Sequence, residues 1–268
     1  MGAPPFSPAL RFRQRQQAER ARAAFYEALK ESQAPKLDPS ATDYSEFEQL
    51  KFSLEKDVQW LKEKGKGDEK RGAIKDTLIP RYQSHLESYL KQDDIYANPI
   101  LVQRVIWAVD VGDIHATYKY GMLAVDQQQQ MPNYFKRDLP TFLTDALREL
   151  AQEASTPIEK EQALYYLLKA VSQVRQWPLT DTPKMKYLVA LGDLFEEHGG
   201  PENEIKALAL YKEAHQYGNA KRKTQINKLT KLHGSPPTEG TLVSMTEDRG
   251  LPGQDNQGSP STSTEEDS

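Results

Sequence analysis

The clearest hydrophobic pattern in the chain begins at Lys186, where apolar residues recur at intervals of three and four and predict amphipathic helices. The positions that define it are Leu188, Leu191, Gly192, Phe195, Ala207, Tyr211 and Ala214. Small residues beside large ones are typical of a tetratricopeptide helix pair, and Leu101 to Ala124 carries a weaker version. Because there is no third clean copy, the pattern predicts a multi-helix bundle of αα-hairpins, with tetratricopeptide-like pairs in its C-terminal half.

The rest of the chain also favours helices. Leu and Ala total 52 residues against 19 for Val and Ile, whose branched side chains suit strands better. Proline often stands where a first helical residue tolerates its missing N–H, as at Pro99, Pro157 and Pro201. We therefore predict an all-α fold of nine or ten helices. Their bounds are 8–32, 43–64, 68–92 with a break at Pro80, 99–111, 113–128, 140–154, 157–175, 183–198, 201–217 and 219–232.

Several helix ends carry capping signals. Thr156 with Glu159 has the spacing of a capping box, and Asp43 with Glu46 has its acidic form. Gly112-Asp113 combines a glycine that can end one helix with an aspartate that can begin the next, which predicts an αα-hairpin.

The charge of the chain is unevenly distributed. The net charge is −4, from 35 basic and 39 acidic residues, but residues 234–268 alone hold seven acids and one base, a charge of −6. Gly, Pro, Ser and Thr supply 20 of those 35 residues, too polar a composition to bury a core. We predict a basic N-terminal helix in residues 1–36, a helical core in 37–233 and a disordered acidic tail in 234–268.

Composition also excludes several classes of protein and site. Without cysteine there can be no disulfide and no thiolate zinc site, which makes an intracellular protein the default expectation. We expect neither a signal peptide nor a membrane span, because no run of about 18 apolar residues occurs. A Walker A loop is absent, so ATP hydrolysis is not expected.

The first predicted helix is rich in arginine. Its five arginines are Arg11, Arg13, Arg15, Arg20 and Arg22. At 100° per residue they flank a stripe of alanine, leucine and phenylalanine on which a neighbouring helix could pack. Guanidinium groups can bind phosphates bidentately, so this helix is a candidate DNA contact; a simple solvated basic helix is the alternative.

A second basic element lies near residue 220. Lys221, Arg222 and Lys223 fall in the first turn of the predicted helix 219–232, where the helix dipole disfavours cations. No acid occurs within that helix, so the partner of this charge should be a phosphate backbone or the acidic tail of the chain itself.

A nuclease would need clustered carboxylates to hold divalent metal ions. The candidates are Asp93, Asp94, Asp110 and Asp113. Asp93 and Asp94 are interpreted more simply as loop residues, and a capping role already accounts for Asp113.

The three tryptophans carry a weaker signal. Trp60, Trp107 and Trp177 fall on separate predicted helices or at their ends. We interpret them as core or inter-helix contacts, with stacking on nucleic-acid bases as the alternative.

The order of these features resembles the GpM family of small terminase subunits, from temperate tailed phages with cohesive-end genomes. The similarity runs from about Ser7 to Leu232. It lies in Ser7-Pro8-Ala9 before the arginine helix, Gln92 to Ile95, Trp107 to Ile114, and Leu191 to Phe195 with Gly199-Gly200. The tail departs from the pattern, because it is acidic where some relatives have a basic extension.

The resemblance implies a homo-oligomer in the cytoplasm of a bacterial host. It would bind the packaging site on concatemeric double-stranded phage DNA and recruit the large ATPase subunit for cutting and packaging. The family is labelled an endonuclease subunit, so a second hypothesis is that the four aspartates bind Mg²⁺ and this chain cuts DNA. A third hypothesis is a helical-repeat adaptor that binds only protein.

Overall fold

The computed structural model describes residues 41–65, 67–92 and 94–234, and all regular structure in these segments is helical, as predicted. Of the nine helices in the described segments, α2 contains a π-helical turn between its two α-helical parts. The helices are α1 (Ala41–Glu63), α2 (Asp68–Ala73, Ile74–Leu78 and Ile79–Tyr89), α3 (Pro99–Asp110), α4 (Ile114–Asp126), α5 (Leu139–Glu153), α6 (Pro157–Gln176), α7 (Asp181–His198), α8 (Pro201–Tyr217) and α9 (Lys223–His233).

Sequential helices pack as hairpins that stack on one another. α3 packs on α4, α5 on α6 and α7 on α8, the most extensive of these contacts. α5 also contacts both α4 and α7, and α4 contacts α6, so one core runs through successive hairpins. The predicted bundle of αα-hairpins is confirmed, while its closer likeness to tetratricopeptide pairs stays a prediction.

Two glycines let helices approach closely. A Cβ on Gly192 of α7 would lie 2.6 Å from Cε1 of Tyr211 on α8, so only glycine fits there. On α4, a Cβ on Gly121 would meet Cδ1 of Leu143 of α5 at 2.5 Å. The small-against-large pattern seen in the sequence at Gly192 and Tyr211 is therefore an actual helix contact.

Most predicted helix ends agree with the structure. Gly112 has φ 78°, and the Asp113 side chain accepts a hydrogen bond from the Ala116 N–H at 2.9 Å. The Thr156 and Glu159 capping box is formed in both directions. The cap at Asp43 is wrong, because α1 already includes Ala41 and a helix needs its cap before its first residue.

Pro80 does not break the second helix as predicted. The helix continues through residues 74–78 as a π turn, and Pro80 then lies at the start of the following α-helical part. The wider π turn accommodates the proline, whose ring would otherwise crowd the carbonyl of the preceding turn and whose missing N–H leaves a gap in the hydrogen-bond ladder.

Two predicted regions lie outside the described residues: the arginine helix within 1–36 and all of the tail beyond Gly234. Within the described part, no helix is both long and apolar enough to cross a membrane.

Candidate nucleic-acid interface

α9 presents a face of lysines at the end of the described chain. Its inner side carries Leu229, which is fully buried, and Ile226, which packs against the core. The outward lysines Lys223, Lys228 and Lys231, with Lys221 just before the helix, form what we call the α9 lysine face. Residues 219–232 themselves contain no acid.

Three of the four lysines have no carboxylate partner among the described residues. Lys228 lies 3.4 Å from Oε1 of Glu196 on α7. In the described segments, no carboxylate lies within 4.0 Å of the Nζ atoms of Lys221, Lys223 or Lys231. Among the described residues nothing but solvent compensates their positive charge, which is how a surface that binds a polyanion is built.

The helix starts four residues later than predicted. Lys221 has φ 52°, in the left-handed region, and its N–H donates to the Asn219 side chain at 3.2 Å. Ala220 is buried beneath this turn. Lys221 and Arg222 therefore precede α9, and of the three basic residues only Lys223 lies in the first turn.

Arg222 already has a carboxylate partner within the described chain. Its Nε and Nη2 atoms donate to Oδ1 and Oδ2 of Asp193 at 2.9 and 2.5 Å, a bidentate ion pair. The hydrogen bond to Asp193 raises the pKa of Arg222 above its ordinary value. Arg222 thus fixes the start of α9 on α7, and two of its donor atoms are already used.

Tyr211 completes this junction of three helices. Its hydroxyl lies 2.8 Å from Oδ1 of Asp193 and 2.9 Å from Oε2 of Glu196, so it donates to one carboxylate at a time. Burial, together with these two carboxylates, raises the pKa of Tyr211 far above its ordinary value. Gly192 leaves the space that the Tyr211 ring occupies. The small residue at 192 and the large one at 211 therefore also allow Tyr211 to reach Asp193, which holds Arg222 at the start of α9.

The other residues predicted to contact DNA or a metal ion lie either elsewhere in the described chain than α9 or outside the described residues. Arg11, Arg13, Arg15, Arg20 and Arg22 lie outside the described residues, as does Asp93. Asp94 is exposed in the loop before α3, and Asp110 ends that helix, so about 18 Å of helix separates them.

Asp110 and Asp113 already have partners. Asp110 accepts from Nζ of Lys70 at 2.8 Å, and Asp113 caps α4. Within the described segments, no three His, Asp or Glu side chains come together as a metal ion requires. The four aspartates are thus not gathered into one site by the part of the fold that is described.

One exposed feature was not predicted from the sequence. Phe52 and Trp60 of α1 are 60% and 38% exposed, so Trp60 is not a core residue, and its interpretation as an inter-helix contact stays a prediction. Lys56 lies 4.3 Å from the Phe52 ring centroid and Lys64 lies 4.7 Å from that of Trp60. The signal was the alternation of aromatic and lysine at intervals of four, which places Phe52, Lys56 and Trp60 along one side of α1, with Lys64 one residue beyond its end.

Comparison with known proteins shows which family this chain is similar to. Residues 51–182 match the model of the phage small terminase subunit family. A protein of Haemophilus phage HP1 (strain HP1c1), named a probable terminase, endonuclease subunit, is 23% identical over 167 residues. That alignment covers 62% of this chain and 58% of the relative, so the chain spans little more than half of the relative's length. No solved structure matches the chain.

Proposed function

Because residues 51–182 match the phage small terminase subunit family, we propose that the chain is such a subunit, which binds the packaging site on concatemeric phage DNA and recruits the large ATPase subunit to it. It would do so as a homo-oligomer in the cytoplasm of the infected bacterium. The relative's name and the family match support this assignment, and the surface chemistry of the described residues suggests where DNA is bound.

The observation that carries the proposal is the α9 lysine face. Exposed lysines without acidic neighbours neutralise phosphates and release counterions from DNA, the main source of affinity in protein–DNA binding. Lys221, Lys223 and Lys231 meet this requirement. Phosphate contacts of this kind position a protein on the duplex, and the arginines between Arg11 and Arg22 are the natural second set.

Asp193 and Glu196 fix the helix that carries the proposed interface. They hold Arg222, Tyr211 and Lys228, and so fix α9 on the α7–α8 hairpin. A rigid helix presents its lysines at a constant spacing, which phosphate binding requires.

The test is a mobility shift on packaging-site DNA at several salt concentrations. Replacing Lys221, Lys223 and Lys231 by alanine should weaken binding at least tenfold at low salt. The slope of log K against log salt should fall by about 0.9 for each phosphate that the variant no longer neutralises.

The matched control removes the same charge elsewhere. Lys75, Lys136 and Lys186 are also exposed, and lie on α2, before α5 and on α7. Their replacement by alanine should leave the salt slope nearly unchanged. Equal losses of affinity in the two triple variants would refute a DNA contact on α9.

A second candidate function is DNA cutting by this chain, favoured by the name of the HP1 relative. Mg²⁺ would be the cofactor and Asp93, Asp94, Asp110 and Asp113 the ligands. Asp110 pairs with Lys70 and Asp113 caps α4, so a metal ion bound by them would have to compete with these contacts.

The nuclease test uses the purified chain with Mg²⁺, without the large subunit. Asp113→Asn is the informative variant, because asparagine caps a helix as well as aspartate does and only the charge is lost. Asp126→Asn, at an exposed residue, is the control. Nicking that Asp113→Asn abolishes and Asp126→Asn preserves would establish the nuclease; absence of nicking would exclude it.

The adaptor hypothesis makes the opposite prediction about DNA. A chain that binds only protein should form a stoichiometric complex with the large subunit, measured by light scattering, and show no mobility shift at moderate salt. A shift that depends on Lys221, Lys223 and Lys231 would exclude it.

A further inference from the structure

We infer that the acidic segment 235–268 of this chain docks on the α9 lysine face and competes with DNA for it. The inference rests on the proposed function only in its second half, because the docking itself needs no DNA. It assigns an occupant to a surface whose charge the described residues leave uncompensated.

Charge complementarity is the first reason. Segment 235–268 has seven acids and one base, whereas residues 219–232 have five bases and no acid. Arg222 and Lys228 are held by Asp193 and Glu196, which leaves three exposed lysines as the site of attraction. Opposite charges of this density attract within the Debye length of about 8 Å at physiological salt.

The path of the chain is the second reason. The described chain leaves α9 at Gly234, directly beyond Lys231 and His233 of the last helical turn. Glu239 follows five residues later, and Glu247 and Asp248 follow thirteen and fourteen residues later. Thirteen residues span up to roughly 44 Å, and α9 is only about 16 Å long, so these acids can reach every lysine of the face.

An apolar side chain beside the lysines is the third reason. Leu232 is 61% exposed, next to Lys231 and on the outer side of α9. The segment offers Leu242, Val243 and Met245 immediately before its first acidic pair. Docking would therefore cover an exposed leucine in the same step that pairs the charges.

Attachment to the same chain makes a weak attraction effective. A segment tethered this closely acts at an effective concentration in the millimolar range, so it need not bind tightly to occupy the face. DNA can displace it, since a duplex offers a denser row of charges, but only at a cost in apparent affinity. The segment thus weakens the binding of non-specific DNA to the α9 lysine face, while DNA that contains a high-affinity site can still displace the segment.

The direct test uses zero-length carbodiimide cross-linking of the full chain without DNA, followed by peptide mapping. Lysines of the α9 face should couple to Glu239, Glu247 or Asp248, and Lys75 and Lys186 should not. Coupling confined to other lysines, or none in the segment, would overturn the docking.

The functional test keeps the full chain and neutralises the segment by exchanging its seven acids for their amides. Non-specific DNA binding should tighten about tenfold at low salt, and the difference should vanish at high salt. General repulsion between DNA and an acidic chain could produce the same result, so a second comparison is needed.

The comparison repeats the neutralisation in the Lys221, Lys223 and Lys231 triple alanine variant. If the segment acts by covering those lysines, neutralisation there should change DNA binding less than twofold. A full tenfold gain in that background would identify general repulsion and overturn the competition. Cross-links to α9 in a chain that binds no DNA would instead refute the proposed function and leave the docking standing.

Discussion

Two clusters of an aspartate, an arginine and a tyrosine join helices in different regions of the chain. Between α1 and α2, Nη1 of Arg81 lies 2.5 and 2.6 Å from the two oxygens of Asp57, and the Tyr82 hydroxyl donates to Asp57 at 2.7 Å. Where α7, α8 and α9 meet, Asp193 accepts in the same way from Arg222 and Tyr211.

The two clusters differ in burial and surroundings. The Asp57 side chain is 12% exposed and that of Asp193 is 40% exposed. The Tyr211 hydroxyl bonded to Asp193 also lies near a second carboxylate, Glu196, which pairs with Lys228 of the α9 lysine face. The same three residue types therefore join α1 to α2 in one region and hold the helix that carries the α9 lysine face in the other. The difference between the two roles comes from the surroundings of each cluster.

The largest effect is expected from Asp57→Ala. It would leave the buried Tyr82 hydroxyl without its acceptor and Arg81 without its counterion, at a cost of roughly 2–4 kcal/mol. The lower end applies because the Arg81 side chain is 47% exposed and water can replace part of the interaction. Urea unfolding of the wild type and the variant measures this loss of stability. Asp193→Ala should cost less than half as much; equal costs would contradict the contrast in burial.

Gly192→Ala should come next. Its Cβ would lie 2.6 Å from the Tyr211 ring, which cannot move aside without leaving Asp193 and Glu196, so we expect a loss of stability of about 1–3 kcal/mol. Gly121→Ala is the matched comparison, since it meets the end of Leu143, an aliphatic side chain with other rotamers. A greater loss in stability for Gly121→Ala would show that the hydrogen bonds of Tyr211 do not hold its ring.

Helices and their hairpins could be predicted because their signals are local. Pro157, Thr156 and Glu159 define a helix start within four residues, and Gly112-Asp113 defines a turn within two. The predicted start of α9 is wrong, because the chain turns before the helix begins: Lys221 has a positive φ and its N–H donates to the Asn219 side chain, while Ala220 is buried.

Both aspartate clusters depend on tertiary pairing and could not be predicted. Asp57 and Arg81 are 24 residues apart, and Asp193 and Arg222 are 29 apart. Nothing in the local sequence pairs them. Charge alone therefore suggested a DNA-binding role for Arg222, although an internal carboxylate is its partner, while the lysines on either side of it have none among the described residues.

His85 should make the region of α1 and α2 sensitive to mild acid. It follows Arg81 by one turn on α2 and stacks on Phe47 of α1, and burial lowers its pKa from the ordinary 6.5. Well above pH 6.5 the imidazole is neutral in both the folded and the unfolded chain. As pH falls below 6.5 the unfolded chain takes up the proton first, so stability declines until the folded pKa is passed, by at most about 1.4 kcal/mol per pH unit.

Hydrogen exchange at pH 7 and pH 5.5 would locate this effect. Amides of α1 and α2 should lose protection at the lower pH relative to those of α7 and α8. His85→Gln, which keeps a polar group beside Asn98, should remove the difference. The same loss of protection in both regions would mean that His85 is not its source.

Asp193→Asn should have the smallest effect on stability and the most specific effect on binding. The ion pair is partly exposed, so its loss should cost at most about 1 kcal/mol. Asparagine keeps one oxygen that can accept from Arg222 or Tyr211, so α9 should stay in place, while the loss of one negative charge near the α9 lysine face should tighten DNA binding about twofold to fivefold at low salt. Asp57→Asn removes the same charge between α1 and α2 and should lower stability without changing affinity. If both variants bound DNA equally well, the α9 lysine face could not be the surface that distinguishes the two clusters.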